Sequence, residues 1–406
     1  MVRAQYVVIT PETAGLFAPI VRPTGTIGLV GHGATDSWMA NGVDINGNPI
    51  PRVVACRTLE AVKKYFASKC DLDDASLSVR KLVGRLFSGS CGGSIVVPDD
   101  MTIEEREIYD SAAIAFANGA STIYIAQVSG SDVTDYAEAL SHLEGYDIDI
   151  VFIANKTETD NVPLIDALFT HVSNTGSRPR IGVFMLKEGE TDTNSSGTYN
   201  GSPRMLAIAH NRLKTKKEIN GVNEDYYPDV AAAVAGKIST LDPWESLLYK
   251  SVTGFSQTEF SDSDVLTCME NQINPIRRGF GEEALRIGES LSLGPADNKY
   301  IEIQRTIDDL SFKLRANLES PDVLGSIRIN ESGMLELNDK AAAVLRRAVT
   351  AGEIDSFAIQ NYVLDAIRTG DTESVNYYQN IRMVELLISV DFAGAVHYID
   401  ITLSME

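Results

Sequence analysis

Thr26-Ile27-Gly28-Leu29-Val30, closed by Gly31, is the stretch on which the fold turns. Its apolar residues follow one another without alternation, the pattern of a short strand covered on both faces rather than one with a wet side. Working outward, similar runs return at Ser121-Thr122-Ile123-Tyr124-Ile125-Ala126, Ile150-Val151-Phe152-Ile153-Ala154 and Arg180-Ile181-Gly182-Val183-Phe184-Met185. Between them lie segments of helical period. Thr58 is placed to cap a helix whose Leu59, Val62 and Phe66 share a face. Thr102 and Glu105 fit a capping box ahead of the stripe Ile108, Ala112, Ala115 and Phe116, which Asn118-Gly119 ends. Further helices are expected over 136–143 and 164–172. Buried strands alternating with amphipathic helices specify an α/β fold: a central mixed, mostly parallel sheet flanked by helices.

Beyond this block the chain changes character. Residues 187–228 read as a polar loop insertion, with Met205-Leu206-Ala207-Ile208-Ala209 as a candidate strand inside it. The basic run Lys214-Thr215-Lys216-Lys217 reads as solvated surface. The small residues of Val230-Ala231-Ala232-Ala233-Val234-Ala235-Gly236 suit the start of a closely packed helix. After about Phe280 three helical faces are expected: Ile303, Ile307, Leu310 and Leu314; Val344, Leu345, Ala348 and Val349; and Ile359, Val363, Ala366 and Ile367. Both ends are strand-like. Tyr6, Val7, Val8 and Ile9 precede Pro11, Pro19 and Pro23, while Ile399, Ile401, Leu403 and Met405 alternate with Tyr398, Asp400, Thr402 and Ser404. The expected organisation is an N-terminal arm (1–20), a central α/β domain (21–280), a C-terminal α+β domain (281–395) and a terminal arm strand (396–406). Chain ends usually fray, so a well-patterned terminal strand calls for a partner to hold it.

The formal charge of −21, from 56 acidic and 35 basic side chains, opposes binding to a nucleic-acid backbone and keeps free copies apart. No run of about 18 apolar residues occurs, so no membrane insertion is expected, and the first residues lack the apolar stretch of a signal peptide. Cys56, Cys70, Cys91 and Cys268 are far apart without a C-x-x-C pair and read as reduced thiols. Catalytic constellations are not apparent. The glycines at 25, 28, 31 and 33 lack the lysine and hydroxyl of a phosphate loop. Asp44, Asn46 and Asn48 open like a calcium loop, but Pro49 and Ala55 stand where glycine and glutamate are needed. Gly31-His32-Gly33 is similar to the histidine surroundings of subtilisin-like proteases, yet no nucleophile motif accompanies it. No catalytic, cofactor or metal site is expected.

Taken in order, several stretches resemble the contractile tail sheath family of myophages, R-type pyocins and related injection systems. They are Gly25–Gly31, Ala115–Ala120 followed by Ile123-Tyr124-Ile125, Tyr227–Gly236 with Asp242-Pro243, Asn271–Ile276, Tyr300–Ile307 and Gly394–Ile401. Two departures stand out: Leu291-Ser292-Leu293-Gly294-Pro295 replaces a tryptophan-glycine pair, and the chain is short for the family. The resemblance implies a subtilisin-like sheath core and a structural, non-enzymatic role. It implies a helical homo-polymer of stacked hexameric rings around an inner tube protein, with baseplate and tail terminator proteins at its ends. Assembly would occur in the host or producer cytoplasm, into a virion tail or injection particle. It further implies that the arms, through Tyr6, Val7, Val8, Ile9, Tyr398, Ile399, Ile401 and Leu403, complete sheets in neighbouring subunits. Lys340, Arg346 and Arg347, on the polar side of their helix, are the expected tube-facing contacts. An α/β hydrolase of subtilisin-like fold and a non-contractile shell protein are the alternatives.

Overall fold

The computed structural model describes residues 25–35, 37–42, 49–66, 106–174, 178–211, 215–219, 222–254, 260–279, 284–395 and 397. The expected arm strands, the Asp44–Asn48 loop, the Thr102–Glu105 capping box, Cys70 and Cys91 lie outside them. The described residues fall into two compact units, one reaching from the first strand to residue 301 apart from 242–246, the other holding 242–246 and the chain from 302 onward.

The first unit is built on one large sheet. Its strands are β1 (Ile27–Gly31), β2 (Val53–Cys56), β3 (Ile123–Gln127), β4 (Ile150–Thr157), β5 (Ile181–Met185), β6 (Met205–Ala209), β9 (Ser251–Val252), β10 (Asn274–Arg278) and β11 (Leu285–Ile287). Their spatial order is β2-β3-β1-β4-β5-β6-β10-β11-β9. From β3 to β10 the neighbours run parallel, and β2, β11 and β9 are antiparallel additions at the two ends. β11 carries this sheet past residue 280.

The opening stretch sits where its composition requires. Every residue of β1 is buried, paired with β3 on one side and β4 on the other. Alternate residues feed two cores. Ile27, Leu29, Ile123, Ile125, Ile150 and Phe152 face one, with α3 (Glu107–Ala117) and α6 (Val230–Ile238). Val30, Ala126, Val151 and Ile153 face the other, with α4 (Val133–Leu143) and α5 (Val162–Ser173). The shorter helices are α1 (Trp38–Asn41), α2 (Leu59–Phe66) and α7 (Asp262–Glu270).

Local signals set the ends of these helices. Thr58 Oγ1 accepts from the Ala61 N–H at the start of α2. Asp132 with Asp135, and Ser261 with Asp264, form capping boxes for α4 and α7. After α3 the chain turns at Gly119, whose φ of +105° suits a residue without Cβ. Asp229 caps α6 and, buried, also accepts from Ser111 Oγ at 2.7 Å and the Asn155 N–H at 2.9 Å.

Residues 187–228 hold more structure than a polar loop. β6 is fully buried in the sheet. β7 (Thr215–Ile219) and β8 (Val222–Tyr226) form an antiparallel hairpin, with Lys216 in register with Asp225 and Lys217 with Glu224. The signal was Asn220-Gly221 between two β-compatible runs, a dipeptide that favours a two-residue hairpin turn. The stretch 194–199 is tied down by the fully buried Glu158, which accepts from the Asn194 N–H and the Tyr199 hydroxyl.

The second unit packs α8 (Ile301–Leu318), α9 (Glu331–Ala351), α10 (Tyr362–Thr369) and α11 (Thr372–Ile381) with a two-stranded sheet of β12 (Ile354–Asn361) and β13 (Leu386–Phe392). Leu310, Leu314, Leu337, Val344, Leu345, Val363 and Val390 share its core. Ile359, expected on a helix face, lies in β12. Its spacing to Val363 fits a helix by coincidence, because Asn361 accepts from the Val363 and Leu364 N–H groups and starts α10 only there. Val349, grouped with the buried face of α9, is exposed.

Candidate assembly surfaces

β12 and β13 pair antiparallel, Phe357 opposite Val390 and Ile359 opposite Ile388. These four join the core of the second unit, while the alternate pairs Ser356–Asp391, Ala358–Ser389 and Gln360–Leu387 are exposed. Among the described residues each strand has one paired edge only. A two-stranded sheet is marginal by itself, and its open edges present unpaired N–H and C=O groups to any extended segment.

Beyond β13, His397 marks the root of the expected C-terminal arm. Its Nε2 lies 3.2 Å from Ser246 Oγ and 3.3 Å from Glu302 Oε1, with both ionisable side chains largely buried. Serine and carboxylate meet the same ring nitrogen, whereas a hydrolytic triad uses both nitrogens in relay. The arrangement therefore suits an anchor. The 242–246 segment is further held by the Asp242 carbonyl, which accepts from Arg305, and by Trp244, whose ring centre lies 5.7 Å from Lys313 Nζ. Lys313 sits 2.7 Å from both Asp309 and Glu353. Burial pushes the Glu353 carboxyl up, and Lys313 opposes that shift.

The other residues singled out in the sequence are scattered. Arg346 and Arg347 are exposed on α9, and Lys340 is half-buried, 3.9 Å from Glu336. The arm residues Tyr6, Val7, Val8, Ile9, Tyr398, Ile399, Ile401 and Leu403 lie outside the described residues. His32 stands in the first unit at the end of β1. Its N–H donates to Glu107 Oε2 at 3.3 Å and its ring meets Tyr136 edge-on. Burial raises the pKa of Glu107, against the pull of the Lys156 ammonium bonded to it. Among the described residues no serine hydroxyl bonds to His32, no group of side chains suits a metal ion, and no helix is long and apolar enough to cross a membrane.

Sequence reading missed the β12–β13 pair. Leu386, Ile388, Val390 and Phe392 alternate with Leu387, Ser389 and Asp391, a period-2 signal that was available.

No family profile and no curated protein matches the sequence. Solved structures do match, end to end. The helical sheath of the anti-feeding prophage in its contracted state is 13% identical with a TM-score of 0.67, over 100% of this chain and 99% of that one. The contracted sheath complex of the PVC extracellular contractile injection system is 12% identical with a TM-score of 0.61, over 100% and 98%. The sheath tail protein from Listeria innocua is 11% identical with a TM-score of 0.54, over 83% and 88%. Across its whole length, then, this chain has the fold of contractile sheath proteins.

Proposed function

We propose that this chain is the subunit of a contractile tail sheath. It polymerises around an inner tube by strand exchange and shortens from a metastable extended lattice, driving the tube through a target envelope. The observation that carries this reading is the β12–β13 sheet with its open edges, in a chain that matches sheath structures from end to end. Extended segments from neighbouring copies, 1–20 and 396–406, would add strands there. Main-chain hydrogen bonds supply the join, and alternating side chains set the register. The anchored His397 leaves residues beyond it to reach another copy while its root stays with its own subunit.

In this reading the work is mechanical and no catalytic step is needed. The C-terminal domain (281–395) faces the tube, with Lys340, Arg346 and Arg347 as its contacts to an acidic tube surface. Baseplate and terminator proteins cap the ends.

Deletion of residues 396–406 tests the join. Negative-stain microscopy of the purified truncated protein should show folded, dispersed subunits where the full chain gives ordered tubes. Tubes formed in undiminished yield would defeat the strand-exchange mechanism.

A further inference from the structure

Glu353 stands where α9 ends and β12 begins, and it is only 4% exposed. Its Oε1 accepts from Lys313 Nζ at 2.7 Å, and the same ammonium lies 2.7 Å from Asp309 Oδ2, one turn back on α8. Its Oε2 is buried as well, and among the described residues nothing donates to it. A carboxylate oxygen shut off from both water and a donor is a costly place for negative charge, and a proton on it removes that cost. Lys313 has Asp309 as a partner whether or not Glu353 is charged.

The 242–246 segment lies within reach of this charge. The Trp244 ring centre is 5.7 Å from Lys313 Nζ, and the Asp242 carbonyl accepts from Arg305 Nη1 at 3.1 Å. Lys313 and Asp309 from α8 and Asp242 from the segment are the charged groups that act on Glu353. On the flanking helix and strands Arg346, Arg347, Asp355 and Asp391 are exposed to solvent, where salt screens them. Asp242 repels an ionised Glu353 and leaves a protonated one undisturbed.

We infer that Glu353 is a proton-controlled latch for residues 242–246: while its carboxyl is protonated the segment is held against α8, and once it ionises the hold loosens. This inference does not depend on the sheath reading. Burial raises the Glu353 carboxyl above its ordinary 4.5 against the pull of Lys313, and Asp309 and Asp242 add to the rise. The folded chain therefore keeps a proton that the unfolded chain releases. The stability this supplies is complete below about pH 4.5 and is lost as pH rises through the folded value.

Trp244 provides the readout. The chain holds two tryptophans, Trp38 and Trp244, so Trp38→Phe leaves the second as sole emitter. Between about pH 4.5 and pH 8 its emission should show one step, which Glu353→Gln abolishes while keeping the acid-side spectrum. Hydrogen exchange of the peptide spanning 242–246 should be about tenfold faster in the wild type than in Glu353→Gln near pH 8, and equal in the two near pH 5. Comparing both proteins at one pH removes the intrinsic pH dependence of exchange.

His397, whose Nε2 lies 3.2 Å from Ser246 Oγ, also titrates beside this segment. An emission step that survives in Glu353→Gln belongs to His397 or another group and overturns the proposal, as does the absence of any step in the wild type. A step without a difference in exchange overturns it too, since Glu353 would then titrate near the ring without releasing the segment. If Glu353→Gln fails to fold, Asp242→Asn takes its place. Removing that repulsion should move the emission midpoint to lower pH, and an unmoved midpoint overturns the latch.

Discussion

His171 shows how one buried side chain makes stability depend on pH. Arg180, fully buried, donates to His171 Nε2, so that nitrogen must be an acceptor and the ring neutral. Burial, with the neighbouring guanidinium, lowers its pKa from 6.5 to about 3. Below about 6.5 the unfolded chain takes up a proton that the folded chain refuses until about pH 3, so stability falls across that window. His171→Gln keeps an acceptor for Arg180 without the titration. Its melting temperature should drop less than that of the wild type between about pH 7.5 and pH 5. Parallel acid slopes for the two proteins would contradict the assignment. Asp229 makes the complementary point: one carboxylate caps α6 and also ties it to α3 and β4.

At the scale of elements, the α3–α6 contact is where propensity and packing disagree. Gly236 lies inside α6, where alanine would be intrinsically better by about 1 kcal/mol. A Cβ there would meet the Ala115 carbonyl oxygen at 2.4 Å and the Ala115 Cα at 3.0 Å, both backbone atoms of α3. Backbone cannot rotate out of the way as a side chain can. Gly236→Ala should therefore destabilise the protein by roughly 1–3 kcal/mol in urea unfolding. A gain in stability would mean that the two helices are not packed this closely. The small residues of 230–236 signalled such packing in the sequence, although the facing helix could not be identified from them. β12 illustrates the opposite case, since Ile359 and Val363 have helical spacing while a single asparagine cap divides strand from helix between them.

For the whole molecule, the sheath reading requires two lattices of one subunit. Each subunit need favour the contracted arrangement only slightly, because packed interfaces switch between discrete states and many copies switch together. Electron microscopy of assembled material, before and after mild heating, should show long narrow tubes giving way to short wide ones. A single tube geometry under all conditions would favour a static shell. The charge of −21 bears on the same scale: copies repel at a distance, so assembly must come from specific close contacts.

The sequence alone determined the class of fold, because Ile27–Val30, Ile150–Ala154 and their counterparts are apolar at successive positions and only burial on both faces accommodates that. It also placed the start of α2, since the Thr58 hydroxyl acts on backbone three residues away. The tertiary structure decided the order of strands, the docking of α6 on α3, and the convergence of Trp244, Lys313 and Glu353. Those features join residues far apart in the chain. No local period or cap encodes which strand a given strand will meet, because that choice is made by shape and burial once the elements pack together.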